Sequence, residues 1–313
     1  MTDPDRFVYL IPGQGGDPRG ALLGLYRAGY RSAIDEVADE IDLVAREHGL
    51  DPVRTVLLAE DRVRLAPGMP QLAAFSASVI VARIFADAGI RPDCVVGQSF
   101  GEMAALVCAG AYTVTEGALA VVALNDAFRD HVGLGGMVLV VASQKETEAV
   151  LARLGRPDLL IACIDSPQET IVSGPLDAVD ALLELEDTPA LRRLAVPYAS
   201  HHPALTPVAE RFRRNLEPLH QSPLKYPVLS PVRRRAYTDS DDLRIALSEC
   251  VTEPVYLQET LELLAADGDR LFAEVGVGAA LCRCVRATAP GARTLAPLSD
   301  PSAAPDILRH LIP

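Results

Sequence analysis

Val95-Val96-Gly97-Gln98-Ser99-Phe100-Gly101-Glu102 is the stretch on which the fold turns. An apolar run from Cys94 to Val96 enters a G-x-S-x-G turn, and an alanine-rich helical run from Glu102 to Ala109 leaves it. A turn of that kind between strand and helix is sharp. Gly97 and Gly101 keep Cβ atoms out of the crowded approach, while Ser99 is pushed to the edge of a sheet with its hydroxyl exposed. A helix starting there points its positive dipole end at any oxyanion formed beside the serine. Ser99 is therefore a candidate nucleophile. The competing reading is an ordinary strand-to-helix turn with Ser99 as N-cap and Glu102 closing a capping box.

Outward from this point, strands and helices alternate. Phe7 to Ile11 is a short apolar strand that ends in the glycine-rich loop Pro12-Gly13-Gln14-Gly15-Gly16, whose spacing does not suit a phosphate. Helical periodicity runs from Ala21 to Glu47 with a break near Gly29, and again from Gln71 to Ala88. After the elbow, the helix stops at Gly110, and a second begins behind Thr113 and Thr115 and continues to about Asp130. From Met137 to Val196 the order is strand, helix, strand, strand, helix, strand, the split βαβ plan of a ferredoxin-like unit. The expectation is an α/β protein: a large α/β hydrolase-like part with a mostly parallel sheet, residues 1–132 and 198–313, carrying an inserted ferredoxin-like subdomain at 133–197. Beyond the insertion, Leu205 to Leu216, Asp241 to Glu249, Tyr256 to Ala266 and Ala279 to Ala287 read as helices, and Tyr226 to Leu229 and Leu271 to Val275 as strands.

The chain of 313 residues is 49% hydrophobic, which supports a large buried core. It contains no uninterrupted apolar run of the roughly 18 residues that would span a membrane, and it does not open on a signal-peptide pattern. A cytoplasmic, monomeric protein is expected. The cysteines Cys94, Cys108, Cys163, Cys250, Cys282 and Cys284 lack metal-type spacing and read as reduced core residues, so no metal is expected. A net charge of −13 argues against nucleic acid as a partner.

A hydroxyl nucleophile needs a base within hydrogen-bond reach and a third group to orient that base. His48, His131, His220 and His310 lie in charged or terminal surroundings. His201 and His202 follow a small-residue turn where the chain returns from the insertion, and spacing does not choose between them.

Six segments in order resemble the signatures of malonyl-CoA:acyl carrier protein transacylases and polyketide synthase acyltransferase domains. They are Pro12-Gly13-Gln14-Gly15, Gly97 to Glu102, Ala105 to Gly110, Asp165-Ser166-Pro167 with Ile171 to Gly174, Tyr198-Ala199-Ser200-His201, and Glu274 to Gly278. The resemblance spans nearly the whole chain. It implies Ser99 as the acylated nucleophile, His201 as general base and acid, and a backbone carbonyl at Cys250 to orient the histidine. The backbone N–H groups of Gln14 and Phe100 would form the oxyanion hole, each such donor being worth roughly 3–4 kcal/mol in the transition state. It also implies ping-pong transfer with no tightly bound cofactor, the acyl group arriving and leaving on the phosphopantetheine of an acyl carrier protein or of CoA.

The departures from the resemblance concern specificity. Where the family places an arginine that pairs with a malonyl carboxylate, this chain has Leu124. Gln98 replaces the usual histidine before the nucleophile and Asp165 a usual asparagine, both expected near the acyl pocket. The expected function is transfer of a non-malonyl acyl group in polyketide or macrolactam biosynthesis, where some relatives pass aminoacyl or dipeptidyl groups between carrier proteins. The alternatives are an editing hydrolase of the same fold, a malonyl transacylase with altered carboxylate recognition, and a non-catalytic docking protein. An acidic carrier protein would need a basic face near Ser99. Arg211, Arg213 and Arg214 are the first candidates and Arg283 with Arg286 the next, ahead of Arg192-Arg193 and Arg233 to Arg235.

Overall fold

The computed structural model describes residues 6–14, 16–61 and 64–311. Gly15 of the glycine-rich loop and the first five residues of the chain lie outside them. The strands, numbered in chain order, are β1 (Phe7–Ile11), β2 (Pro92–Gly97), β3 (Gly135–Val140), β4 (Leu160–Ser166), β5 (Glu169–Pro175), β6 (Leu191–Arg193), β7 (Val228–Ser230), β8 (Arg235–Ala236), β9 (Val255–Tyr256), β10 (Leu271–Glu274) and β11 (Arg293–Leu295).

A six-stranded sheet has the order β11-β10-β1-β2-β7-β8, parallel throughout except for the β7–β8 pair. The expected mostly parallel sheet is present. Its central strand β1 is buried at every residue, which is why Phe7 to Ile11 reads as a continuous apolar run rather than an alternating one. The second sheet has the order β6-β3-β5-β4-β9. Its first four strands are antiparallel neighbours with helices Gln144–Leu154 and Leu176–Glu184 between them in sequence, as the ferredoxin-like pattern predicts. The fifth strand was not legible in the sequence. β9 comes from outside 133–197 and pairs parallel to β4 through Cys163 with Val255 and Ile164 with Tyr256, so a sheet edge continues across the expected boundary.

Local chemistry accounts for the helix ends. The expected break near Gly29 separates Leu23–Arg27 from Arg31–Glu47, and Gly29 takes φ +109°, a conformation costly for a residue with a Cβ. Thr113 with Glu116 and Ser143 with Glu146 form complete capping boxes. The helix Met69–Asp87 is long and apolar enough by composition to cross a membrane, and in this fold it buries Leu72, Phe75, Val79, Ile80, Ile84 and Phe85 in the core.

The elbow helix Gly101–Cys108 lies hard against the end of β1. A Cβ on Gly101 would stand 2.3 Å from the Ile11 carbonyl oxygen, and one on Gly97 would stand 2.4 Å from the Glu102 Cα. Both contacts are with backbone, which cannot swing aside. Gly101→Ala is therefore expected to lower unfolding free energy by about 1–3 kcal/mol, read from urea midpoints; an unchanged midpoint would refute this packing constraint.

Candidate active site

Ser99 follows the carboxyl end of β2, the edge at which open parallel sheets gather ligands. It takes φ +54°, and His201 takes φ +60°. Non-glycine residues held in this region store about 1–3 kcal/mol of strain each, a cost typical of functional positions. Ser99 does not cap the helix with its side chain; Phe100 is the N-cap residue, without a side-chain cap. The Ser99 hydroxyl instead lies 2.6 Å from His201 Nε2. Glu102 closes no capping box either, because its carboxylate is turned into the core. The ordinary-turn reading is thus overturned.

Of the two adjacent histidines the structure brings one to the serine. His202 Nδ1 accepts the Ala204 N–H, and its Nε2 faces the Asp158 carbonyl oxygen, which makes it a piece of the local turn. His201 is 2% exposed, and its Nδ1 lies 2.9 Å from the Glu253 carbonyl oxygen. A carbonyl only accepts, so Nδ1 carries the proton and Nε2 presents its lone pair to the Ser99 O–H. Burial pushes the His201 pKa down to about 4, against a smaller upward pull from that carbonyl. A neutral imidazole is what proton abstraction requires.

The orienting carbonyl corrects the expectation placed on Cys250. Its carbonyl is not the partner; the helix Leu243–Thr252 ends before the chain turns, and it is Glu253 beyond that end which aims its oxygen at the ring. The Cys250 side chain donates to Glu102 Oε2 at 3.2 Å. Ser230 Oγ and Tyr237 Oη donate to the same carboxylate at 2.5 and 2.6 Å. Glu102 is fully buried, and burial raises its pKa while these three donors pull it back. This buried junction was not legible in the sequence, where its four members are scattered.

Among the described residues, neither the Phe100 nor the Gln14 backbone N–H is spent on a hydrogen bond. The Gln14 side chain is held by the Gln71 amide at 3.0 Å and the Tyr198 hydroxyl at 3.1 Å. Beside Ser99 and Phe100 lies a cavity of ≈ 30 Å³ whose apolar wall includes Met103, Leu124, Phe128, Phe212 and Leu247. Leu124 thus lines the space next to the serine. The nearby Arg129 turns to Asp126 at 2.6 Å instead of replacing the absent guanidinium. Gln98 and Asp165 do not line this cavity. They hydrogen-bond each other at 2.8 Å, so the elbow is tied to β4 of the second sheet. Burial pushes the Asp165 pKa up to about 7, the Gln98 amide opposing the rise.

The expected docking arginines separate. Arg211 is engaged with Asp126 at 2.8 Å and Asp130 at 3.1 Å, ion pairs that join its helix to the neighbouring one. Arg233, Arg234 and Arg235 are bound to Asp241, Glu249 and Glu259. Arg286 donates to Thr294 Oγ1. Arg213, Arg214, Arg283 and Arg286 are exposed. No group of three or more residues suited to hold a metal ion occurs among the described residues.

Compared with known proteins, residues 8–302 match the acyl transferase domain family. The chain belongs to that family. This acyltransferase is 27% identical over 295 residues to the mycoketide-CoA synthase of Mycobacterium tuberculosis, covering 92% of the chain but only 7% of that much longer protein. It superposes on the malonyl CoA-acyl carrier protein transacylase of Coxiella burnetii with a TM-score of 0.88 at 24% identity, covering 99% of this chain and 97% of that one. It also superposes on a malonyl-transacylase solved in complex with a type II polyketide synthase acyl carrier protein, with a TM-score of 0.84 at 23% identity, covering 96% and 99%. Both structural likenesses speak to the fold alone.

With the His201 pKa near 4, the acylation rate of Ser99 should stay level from pH 8 down to about 5 and reach half its plateau near 4, not near 6.5. Between those two values the unfolded chain binds the proton that folded His201 refuses, so His201 costs stability as pH falls below 6.5. Rapid-mixing acylation across this pH range checks the first statement; a midpoint near 6.5 would contradict it. Asp165, titrating near 7, is separated by running Asp165→Asn in parallel.

Proposed function

We propose that this acyltransferase moves an acyl group without a free carboxylate from one phosphopantetheine thiol to another in polyketide or macrolactam assembly, by way of a Ser99 ester. The observation that carries the reading is Leu124 in the apolar wall beside Ser99. A malonyl carboxylate placed against that wall would lose its water without gaining a partner, a penalty of several kcal/mol. An uncharged acyl group pays no such cost, and the aminoacyl and dipeptidyl groups passed by relatives in macrolactam pathways belong to that set once their amines are neutral or face solvent.

In the first half-reaction His201 Nε2 takes the Ser99 proton while Oγ attacks the thioester carbonyl. The carbonyl oxygen collects negative charge between the N–H groups of Gln14 and Phe100. The C–S bond then breaks, and His201 returns the proton to the departing thiolate, which leaves the acyl group esterified to Ser99. The second half repeats these steps in reverse with another thiol as nucleophile. The Glu253 carbonyl holds the ring through both halves, and it raises the basicity of the imidazole less than a carboxylate would.

An acyl carrier protein is the partner that fits, and Arg213, Arg214, Arg283 and Arg286 are the exposed cations proposed to meet its acidic helix. Arg211 is withdrawn from that surface by its ion pairs.

Mass spectrometry of the intact protein tests the chemistry. An acetyl thioester should add one acyl group to the wild type and none to Ser99→Ala, and His201→Ala should slow the addition by at least ~100-fold. Malonyl-CoA should leave the wild type unmodified, whereas Leu124→Arg should gain detectable malonylation; ready malonylation of the wild type would end the specificity argument. For docking, Arg213→Glu with Arg214→Glu should weaken transfer from an acyl carrier protein by ~10-fold or more and spare acylation by a short N-acetylcysteamine thioester. Equal losses in both reactions would remove these arginines from the docking face.

A further inference from the structure

Gln14 and Phe128 border two spaces. One is the cavity of ≈ 30 Å³ at Ser99. The other is a cleft of ≈ 1190 Å³ that the same two residues also line, larger than the ~300–1,000 Å³ of an ordinary small-ligand site. A short acyl group has no use for it.

One wall of the cleft is a face of the helix Val114–Phe128. Leu119, Val122 and Ala123 recur there at helical spacing and stay half-buried instead of packing fully into the core. Leu65, Pro67 and Leu219 are further apolar members of the lining. The one carboxylate on this helical face, Asp126, is paired with Arg129 and Arg211, and the other basic residues of the lining, His48 and Arg214, are exposed to solvent. At the junction with the Ser99 cavity the Phe128 ring stacks on Tyr198 with centroids 4.1 Å apart, and Tyr198 and Gln71 converge on Gln14. Gln71 Oε1 is buried there without a partner among the described residues.

We infer that this cleft receives an elongated, uncharged acyl chain. The chain leaves its carbonyl beside Gln14, passes Phe128 and Tyr198, and lies along Leu119, Val122 and Ala123. The inference rests on the acyl-enzyme reading above and adds to it the length of the substrate. Selectivity then follows from the burial of successive methylenes, each of which changes kcat/KM by roughly 10-fold or more when a hydrophobic site is built to hold it.

The experiment measures Ser99 acylation of the full chain by acetyl, butyryl, octanoyl and dodecanoyl N-acetylcysteamine thioesters. The wild type should prefer octanoyl over acetyl by at least ~10-fold in kcat/KM, and Val122→Trp and Leu119→Trp should each erase that preference while holding acetyl within about 2-fold. Each variant is first checked by thermal unfolding, and the wild-type series decides by itself if neither folds. A flat wild-type series overturns the inference. So does an equal loss with acetyl and octanoyl in the tryptophan variants, the result expected if the cleft carries only the pantetheine arm. Failure of every thioester, acetyl included, to acylate Ser99 would instead remove the acyl-enzyme reading and the inference with it.

Discussion

A carboxylate with no access to water must be surrounded by donors, and the Glu102 carboxylate is surrounded by three. Ser230 comes from the end of β7, Tyr237 from beyond β8, and Cys250 from the last turn of the helix Leu243–Thr252. The elbow helix is thereby joined to the segment whose next residues present the Glu253 carbonyl to His201. Ser99 and the carbonyl that holds the His201 ring are carried on distant parts of the chain, and this junction holds the two parts in register. The backbone adds a second link, since the His201 N–H donates to the Val251 carbonyl at 2.8 Å.

That rigidity bears on the electrostatics of the site. His201 is buried and faces a carbonyl rather than an anion, so its charged form has little to stabilise it, and it waits as a neutral base. In the proposed reaction, developing negative charge would be met instead by backbone dipoles at Gln14 and Phe100, which need no reorganisation. Among the described residues, the lining of the cavity beside Ser99 includes no cation: Leu124 stands there, and Arg129 is paired with Asp126. Gln98 and Asp165, whose types differ from those usual in the family, are joined to each other. An amide facing a carboxyl is a matched donor and acceptor, so these two departures make one clasp between the sheets.

Much of this was written locally. The order of strands and helices, the break at Gly29, the capping boxes and the glycine-flanked serine follow from steric rules that act over a few residues, and those rules hold whatever surrounds them. The resemblance likewise rests on short segments, and it pointed to Ser99 and His201 without needing coordinates. Prediction failed where the deciding contact joins residues far apart in sequence. β9 is two residues long and carries no period, so the sequence offers Tyr256 only as the start of a helix, and the pair becomes a strand only when β4 offers an unpaired edge.

The sequence by itself determined the α/β class, the elbow, the loss of arginine at Leu124 and the pair of histidines from which the base is drawn. Tertiary structure decided which histidine meets Ser99, that Glu253 rather than Cys250 orients it, that Arg211 is bound to Asp126 and Asp130, and that Gln98 reaches Asp165. The physical reason is directional. A hydrogen bond or ion pair depends on distances of a few ångströms and on the aim of each group, and neither is set by the identity of neighbours along the chain. His201 and His202 are alike in sequence terms, and only the folded backbone, with φ +60° at His201, sends one ring to the serine and the other to the Asp158 carbonyl.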